Sequence, residues 1–168
     1  EDKRAATVLE TAASMAEWPG AAADGAGFGI ALCQYKNRSA YCAIVARVVC
    51  GEQIRLSHAW AAVDAGEAIN PDGIVNQIEG GIIQSASWTL IERVAHSGDA
   101  VATHDWSTYP IMRFSEVPEI AVRLVDRPEL PPLGDRLAPP IPIFQRTSPV
   151  SGWRFTIEHP PPLGQSMV

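Results

Sequence analysis

The segment NPDGIVNQIEGGIIQSASW, residues 70–88, combines polar and small residues in a pattern that could bind a ligand. Gln77 and Gln84 offer carboxamide groups, which both donate and accept hydrogen bonds. Gly80 and Gly81 stand between them, although a glycine inside a helix costs roughly 0.5–1 kcal/mol relative to alanine. Close approach of a neighbouring backbone or of a ligand would explain these glycines. The spacing alone favours packing, with ligand contact as the alternative.

Histidine and cysteine residues do not form a metal-binding pattern. The sequence has no C-x-x-C pair, and its four histidines are not at ligand spacing: His58, His96, His104 and His159. We therefore predict no metal ion held by protein side chains. Cys33, Cys42 and Cys50 are interpreted as small apolar strand residues. A Cys33–Cys42 bridge across a hairpin is a second option that the sequence leaves open.

Three other polar or glycine-rich stretches have simpler interpretations. GAGFG, residues 25–29, precedes a strand, whereas a nucleotide-binding loop follows a strand and opens a helix. We interpret it as a flexible lead-in. HDWSTY, residues 104–109, could line a pocket, but it is more typical of a half-exposed strand. Glu116 and Glu119 flank Pro118, and we expect them to be solvated charges rather than a catalytic pair.

The first half of the chain predicts one helix and three strands. Residues 3–18 repeat apolar side chains at helical spacing, and Trp18-Pro19-Gly20 ends that pattern. Residues 29–35 and 40–50 are rich in β-forming residues and are joined by a polar turn, which predicts a hairpin. Residues 54–66 predict a third strand.

A second helix, up to about Arg93, is predicted to carry the glutamines and glycines. Asn70 is a favoured N-cap residue, and Pro71 suits the first helical position because its missing N–H would be unpaired there. Ile74, Ile78 and Ile82 recur every four residues and predict a buried stripe. Residues 100–109 and 118–126 predict two further strands, and GWRFTIEH, residues 152–159, a short edge strand. The expected fold class is α+β, with a mixed or antiparallel sheet packed on two helices.

Overall composition excludes several classes of protein. The chain has 168 residues, of which 46% are hydrophobic and 19% are charged, as in a globular protein. Its formal net charge of −6 argues against a nucleic-acid-binding face. Its apolar stretches fall far short of the roughly 20 residues that a membrane span requires. We therefore predict neither nucleic-acid binding nor a membrane span.

Two long stretches resemble a known protein family. AVDAGEAINPDGIVNQIEGGIIQSASWTLIE and DWSTYPIMRFSEVPEIAVRLVDRPELPPLG resemble the molybdopterin-binding large subunit of the xanthine dehydrogenase/aldehyde oxidase (molybdenum hydroxylase) family. Within it, the chain is most similar to isoquinoline 1-oxidoreductase beta subunits and nicotinate dehydrogenase large subunits. The resemblance runs from about Arg4 to Gly134. It implies the C-terminal fragment of a molybdenum-binding domain.

The resemblance assigns roles to the central helix. It implies that Gln77 contacts the cofactor, and that Gly80 and Gly81 let the helix pack closely there. Asp64 and Asn70 are expected to shape the turn into the helix. The implied cofactor is molybdopterin with molybdenum, in its cytosine dinucleotide form. The implied chemistry is hydroxylation of N-heterocycles or oxidation of aldehydes, with water as the source of oxygen.

The resemblance also implies partners. Electrons would leave through a small subunit with [2Fe–2S] clusters, and the remainder of the large subunit would complete the site. A core cut short would expose apolar surface, so self-association is also expected. The sequence leaves both a cytoplasmic and a periplasmic location open.

The chain departs from the family pattern after ELPPLG. The family continues with a G-E step whose glutamate is the general base, whereas this chain has Asp135 directly after Gly134. The shorter Asp135 side chain makes a poor replacement, because a base must reach its proton at hydrogen-bond distance. The sequence that follows is proline-rich, as a shifted reading frame or truncated gene would produce. A single-base shift in the coding DNA that restores the G-E step would support this hypothesis.

These observations divide the chain into a molybdopterin-binding-domain-like α+β region, residues 1–134, and a divergent proline-rich tail, residues 135–168. Two functional interpretations follow. The chain is either part of a working molybdenum hydroxylase, inactive alone, or a non-catalytic structural or interaction subdomain without cofactor.

Overall fold

The computed structural model describes residues 2–18, 25–35 and 39–133. Along the chain its elements are helix α1 (Lys3–Met15), strands β1 (Ala26–Tyr35), β2 (Ala40–Cys50) and β3 (Ile54–Asp64), helix α2 (Pro71–Leu90), strands β4 (His96–Ser97) and β5 (Ala100–Val101), a 3-10 helix (Phe114–Glu116) and strand β6 (Glu119–Leu124). The predicted tail, with Asp135, His159 and the strand at 152–159, lies outside the described residues.

The main sheet is mixed, in the order β1-β2-β3-β6. β1, β2 and β3 pair antiparallel, whereas β6 joins β3 in parallel, with His58 opposite Glu119 and Val63 opposite Leu124. A parallel neighbour requires a long crossover, and α2 lies within it. The predicted α+β class with two main helices is confirmed.

The sheet is covered by α2 on one face and by α1 on the other. Alternate residues of β2 point to opposite faces, as the strand geometry requires. Cys42 and Ile44 pack in the cluster beneath α2, whereas Tyr41, Ala43 and Val45 pack in the cluster beneath α1. β2 is therefore buried on both faces at this end. This explains why its sequence is a continuous apolar run instead of an alternating one.

The predicted strand at 100–109 is wrong beyond Val101. Only Ala100 and Val101 form a strand, paired with His96–Ser97 in a two-residue hairpin. HDWSTY is a turn because the Asp105 carboxylate accepts hydrogen bonds from the N–H groups of Ser107, at 3.0 Å, and Thr108, at 2.9 Å. Such side-chain bonds compete with strand pairing.

Other differences concern element ends and exposure. GAGFG is not a flexible lead-in, because β1 begins at Ala26 and its residues Gly27 and Gly29 pair with β2. α2 ends at Leu90, where the N–H groups of Ile91 and Glu92 both donate to the Ser87 carbonyl. Cys50 is exposed, unlike the buried Cys42. Neither helix of the described ranges has the length and apolar character of a transmembrane span.

The Asp64 carboxylate forms a buried ionic centre at the end of β3. Its side chain is 0% exposed and accepts hydrogen bonds from Arg4 Nε at 2.8 Å, Arg4 Nη2 at 2.5 Å and the Gly66 N–H at 3.2 Å. Arg127 approaches the same carboxylate at 3.4 Å. The Arg4 guanidinium also lies 4.8 Å from the centre of the Tyr41 ring. Asp64 thus joins α1, β3 and the segment after β6.

Gly66 lets that segment lie directly against the end of β3. Its φ of +75° favours glycine, and a Cβ at this position would collide with the carbonyl oxygen of Pro131. The Leu130 carbonyl accepts from the Glu67 N–H, and the Ala65 carbonyl accepts from the Leu133 N–H. These contacts fix the chain that leads into α2.

We expect Asp64→Asn to lower the free energy of unfolding by roughly 2–4 kcal/mol, because it leaves arginines without their counter-charge. The range lies below that of a fully buried pair, since the Arg4 and Arg127 side chains are 23% and 28% exposed. Urea unfolding measures the change. Asp99→Asn, on the exposed hairpin turn, is the matched control. Equal stability of the two variants would contradict the assigned role of Asp64.

The same interaction predicts a dependence on pH. Burial by itself raises the pKa of Asp64, but the hydrogen bonds from Arg4 and Gly66 and the Arg4 charge outweigh it, so the pKa lies below its ordinary value. A lowered folded-state pKa stabilises above the unfolded pKa of about 3.9, and the contribution disappears as the pH falls through the folded value. The stability gap between wild type and Asp64→Asn should narrow between about pH 5 and about pH 2. A constant gap would exclude this origin.

Candidate functional site

The turn into α2 is fixed by two polar side chains, as the sequence predicted. Asp64 accepts from the Gly66 N–H, and Asn70 Oδ1 accepts from the Gly73 N–H at 3.0 Å. Pro71 occupies the first helical position and Asp72 the first turn, where a negative charge suits the helix dipole. The start and the direction of α2 therefore follow from local sequence.

The apolar stripe of α2 determines which residues face outward. Ile78, Ile82 and Ala86 are buried against the sheet. With 3.6 residues per turn, residues 77, 80, 81, 84 and 88 lie together on another face. Gln77, Gly80, Gln84 and Trp88 are exposed there, so the two glutamines are not buried. The sequence-predicted site residues thus share one solvent-facing surface.

This surface forms one wall of a cleft of about 570 Å³. The lining comes from α2 and from the segment that returns past its C-terminal end: Asn76, Gln77, Gly80, Gly81, Ile83, Gln84, Ser87, Trp88, Glu92, Ile111 and Met112. The half near the helix N-terminus is rich in carboxamides. The other half combines the apolar and aromatic side chains of Trp88, Ile111 and Met112 with Ser87 and Glu92. The cleft therefore offers carboxamides at one end and a mainly apolar wall with one carboxylate at the other.

Gly80 is not packed against any described part of the chain. A Cβ built at this position meets nothing within 4 Å. The expectation that Gly80 permits close helix packing therefore has no partner among the described residues. The helix carries the glycine penalty at a position where it opens the cleft instead. Within the described residues, Gly80 therefore leaves this part of the cleft wall open.

Glu92 closes the apolar end of the cleft. Its carboxylate accepts a hydrogen bond from the Ser87 hydroxyl at 2.5 Å and another from the Tyr109 hydroxyl at 2.8 Å. The Ser87 oxygen in turn accepts from the Met112 N–H at 2.9 Å. These three bonds hold the returning segment against the end of α2. They place Ile111 and Met112 in the cleft wall.

The remaining candidate residues lie apart from the cleft lining. In residues 2–18, 25–35 and 39–133, no group of three His, Cys, Asp or Glu side chains is placed to hold a metal ion. His58 Nε2 lies 3.4 Å from the carboxylate of Glu119, whose side chain is 86% exposed. Glu116 is also exposed and accepts from the Arg113 N–H, as expected for a solvated charge. Asp135 is outside the described residues.

Sequence reasoning missed half of the cleft. Trp88 could have been found from helical spacing, because it lies eleven positions, or about three turns, after Gln77. Ile111 and Met112 could not, since contacts distant in sequence, from Tyr109 to Glu92 and from Met112 to Ser87, bring their segment back to α2. The sequence also predicted that this segment follows a strand over residues 100–109, of which only Ala100 and Val101 form a strand.

The donor set indicates what the cleft can bind. The polar end is formed by the neutral carboxamides of Asn76, Gln77 and Gln84 and by an exposed glycine. Carboxamides pair well with the donor and acceptor edges of heterocycles and with oxygen atoms of anions. An open Cβ position lets a bulky group approach the helix backbone. A planar, polar ligand fits this half better than a bare cation.

Comparisons with known proteins identify similar chains. The family model described as molybdopterin cofactor-binding domain matches residues 7–118. The beta subunit of isoquinoline 1-oxidoreductase from Brevundimonas diminuta is 38% identical over 129 residues, which cover 73% of this chain and 16% of that protein. A nicotinate dehydrogenase subunit from Pseudomonas putida is 44% identical over 71 residues, covering 42% and 6% of the two chains.

A solved structure shows a partial likeness. Quinoline 2-oxidoreductase from Pseudomonas putida 86 has a TM-score of 0.49 and 30% sequence identity, and the match covers 55% of this chain and 12% of that one. The chain therefore spans a small part of the length of each of these three proteins.

The open surroundings of Gly80 predict that Gly80→Ala stabilises the chain. The gain in the free energy of unfolding should be about 0.5–1 kcal/mol, because alanine restricts the unfolded backbone at no steric cost here. Gly73→Ala is the matched control in the same helix, where a Cβ would lie 2.9 Å from the Asn70 side chain. It should give no gain. A loss of stability in Gly80→Ala would show that Gly80 is packed after all.

Proposed function

The chain belongs to the molybdopterin cofactor-binding domain family, and from this we propose that the exposed face of α2 contacts molybdopterin as part of a molybdenum hydroxylase. One observation carries the proposal. Gln77, Gly80 and Gly81 line a cleft together, and Gly80 is open there at a helix position where no described residue packs closely enough to require glycine. The matched region, residues 7–118, contains the whole of this helix.

The residues present fit such a group. A pterin has a fused ring system with several hydrogen-bond donors and acceptors, and its phosphate and metal-associated oxygens accept hydrogen bonds. Three neutral carboxamides on one wall can serve both kinds of atom. A carboxylate in that half would instead repel the anionic parts, and the carboxylate of Glu92 lies at the opposite, apolar end beside Trp88.

Each residue then has a distinct task. The Gln77 side chain would donate its N–H to an oxygen of the bound group, and Gln84 would offer a second amide about two turns further along. Gly80 and Gly81 let the group approach the helix backbone. When bound, molybdopterin with its molybdenum supplies the redox centre for hydroxylating an N-heterocycle or oxidising an aldehyde with water as the oxygen source.

The finer features of the family enter as parts of this proposal. We propose the cytosine dinucleotide form of the cofactor, a [2Fe–2S] small subunit as electron acceptor, and the remainder of a large subunit as the structure that completes the site. Two of the relatives are each named as one subunit of an enzyme, which supports an assembly of several chains. Exposed Trp106 and Phe114, at 81% and 100%, support contact with further protein or self-association.

We further propose that residues 1–134 act as the cofactor-contacting unit and that the tail, residues 135–168, does not supply the general base. Asp135 stands where the family pattern has glutamate. Its carboxylate is shorter by one methylene, and a base works only within hydrogen-bond reach of its proton.

Molybdenum content tests the cofactor contact directly. The 168-residue chain is expressed in bacteria that make molybdopterin, shown to be folded by circular dichroism, and analysed for molybdenum and for fluorescent pterin derivatives. Gln77→Ala should lower the bound cofactor on the order of 10-fold, since it removes a hydrogen bond to a charged group. Gln53→Ala makes the same chemical change on the exposed turn between β2 and β3 and should leave the content unchanged.

A folded wild-type chain without molybdenum or pterin would overturn the proposed contact and favour a subdomain without cofactor. Equal cofactor content in Gln77→Ala and wild type would show that the chain binds the cofactor without a contribution from Gln77. Both readouts are independent of enzyme activity.

The missing glutamate predicts that the loaded chain alone does not turn over. Oxidation of quinoline or an aldehyde with an artificial electron acceptor should stay at background, because the shorter Asp135 stands where the family pattern has its general-base glutamate. The assay is run on the molybdenum-containing sample, with a complete molybdenum hydroxylase as positive control. Turnover above background would show that another residue of this chain acts as the base.

A further inference from the structure

Cys33 and Cys42 face each other across two neighbouring strands. Cys33 lies in β1 and Cys42 in β2, and they are direct partners in the antiparallel register. Residues directly opposite in such a pair project their side chains to the same face of the sheet. Both cysteines carry reduced thiols in the structure. Their placement therefore brings two sulfur atoms to one spot on the face that α2 partly covers.

The strand spacing matches the requirements of a disulfide bond. Directly opposed residues of antiparallel strands have Cα atoms about 4.5–5.5 Å apart. Disulfide-bonded cysteines have Cα atoms about 4.4–6.8 Å apart. The Cα spacing expected for the Cys33–Cys42 pair thus lies within the range of a disulfide bond, and a small approach of the two Cβ atoms would complete the geometry.

The two thiols differ in accessibility. Cys42 is 1% exposed, within the core cluster beneath α2, whereas Cys33 is half-buried. Burial raises the pKa of both thiols, and for Cys42 the neighbouring Cys33 sulfur raises it further, as expected for two close sulfur atoms. A reagent in solution can reach Cys33, and Cys42 can react only with a sulfur that is already inside.

We propose that Cys33 and Cys42 form a dithiol site that a small-molecule disulfide oxidises to a cross-strand disulfide bond. In the first step the Cys33 thiolate attacks the reagent, forms a mixed disulfide and releases one reagent thiol. The Cys42 thiolate then attacks the Cys33 sulfur, forms the protein disulfide and releases the second thiol. Two protein thiols lose two electrons and two protons, and the reagent disulfide gains them as two thiols.

The bond would lock an edge strand. In the described sheet, β1 pairs with β2 alone, whereas β2 and β3 each have two neighbours. A disulfide near the closed end of the hairpin shortens the free chain of the unfolded state and stabilises the folded one. The site would therefore make the stability of the sheet respond to the thiol–disulfide balance of its surroundings.

Cys50 provides an internal control. It ends β2 opposite Ile54, and it is exposed. Its partner position holds no thiol, so oxidation at Cys50 should give mixed or intermolecular disulfides only. Cys50→Ser removes these reactions and leaves the proposed pair.

The experiment equilibrates the 168-residue Cys50→Ser chain in buffers of oxidised and reduced glutathione, first folded and then unfolded in urea. Remaining thiols are blocked, and the bridged form is recognised by the loss of two hydrogen atoms in the mass and by a cross-linked peptide holding residues 33 and 42. The folded and unfolded equilibria form a thermodynamic cycle. The ratio of the two oxidation equilibrium constants is therefore the factor by which the bond favours the folded state. We expect the bridge to be favoured on the order of 10-fold or more in the folded chain.

Several results would overturn the proposal. A ratio of one or less would show that the folded hairpin resists the bond. A mixed disulfide at Cys33 that never resolves would show that Cys42 cannot reach it. When Cys33→Ser is added to the Cys50→Ser chain, Cys42 must stay reduced. Direct modification of Cys42 by the reagent would contradict a reaction that begins at Cys33. If Cys50→Ser does not fold, the same peptide mapping is done on the wild-type chain, where the 33–42 bridge remains the expected product.

Discussion

The buried Asp64 carboxylate is the interaction on which the arrangement of the other elements depends. A charge without exposure is tolerated only when donors surround it, and here Arg4 and the Gly66 N–H supply them. The carboxylate stands at the last residue of β3, so these bonds attach α1 to the point where the chain turns towards α2. Arg127 approaches from the segment after β6. The Asp64 side chain thus connects α1, the turn that leads into α2 and the segment that follows β6.

The two faces of α2 differ in what they contact. Ile78 and Ile82 are buried and position the helix on the sheet. The opposite wall contributes little to the core, yet it holds glycine where alanine would favour the helix. Among the described residues, no packing partner accounts for this local cost at Gly80. The helix is held against the sheet by one face and exposes the other to solvent.

Local sequence signals were enough to predict much of this. Asn70 and the four-residue repeat of isoleucine predicted the start and the buried side of α2, and β-rich composition predicted the hairpin. The failures were non-local or involved side-chain competition. The strand expected at 100–109 was lost because Asp105 caps a turn, and the apolar half of the cleft depends on Glu92 reaching Tyr109. Neither contact follows from the period of the pattern.

The separation of core and cleft has a consequence for how such a chain can change. None of the carboxamides that line the cleft belongs to the two core clusters, which consist of apolar residues from α1, α2 and the sheet. Substitutions of these exposed carboxamides should therefore have little effect on folding, whereas changes near Asp64 should lower the stability. The small residues Ala43, Ala61 and Ala62 bring the helices close to the sheet and keep the core dense. The helices and the main sheet therefore form a core that does not depend on the carboxamides of the cleft wall.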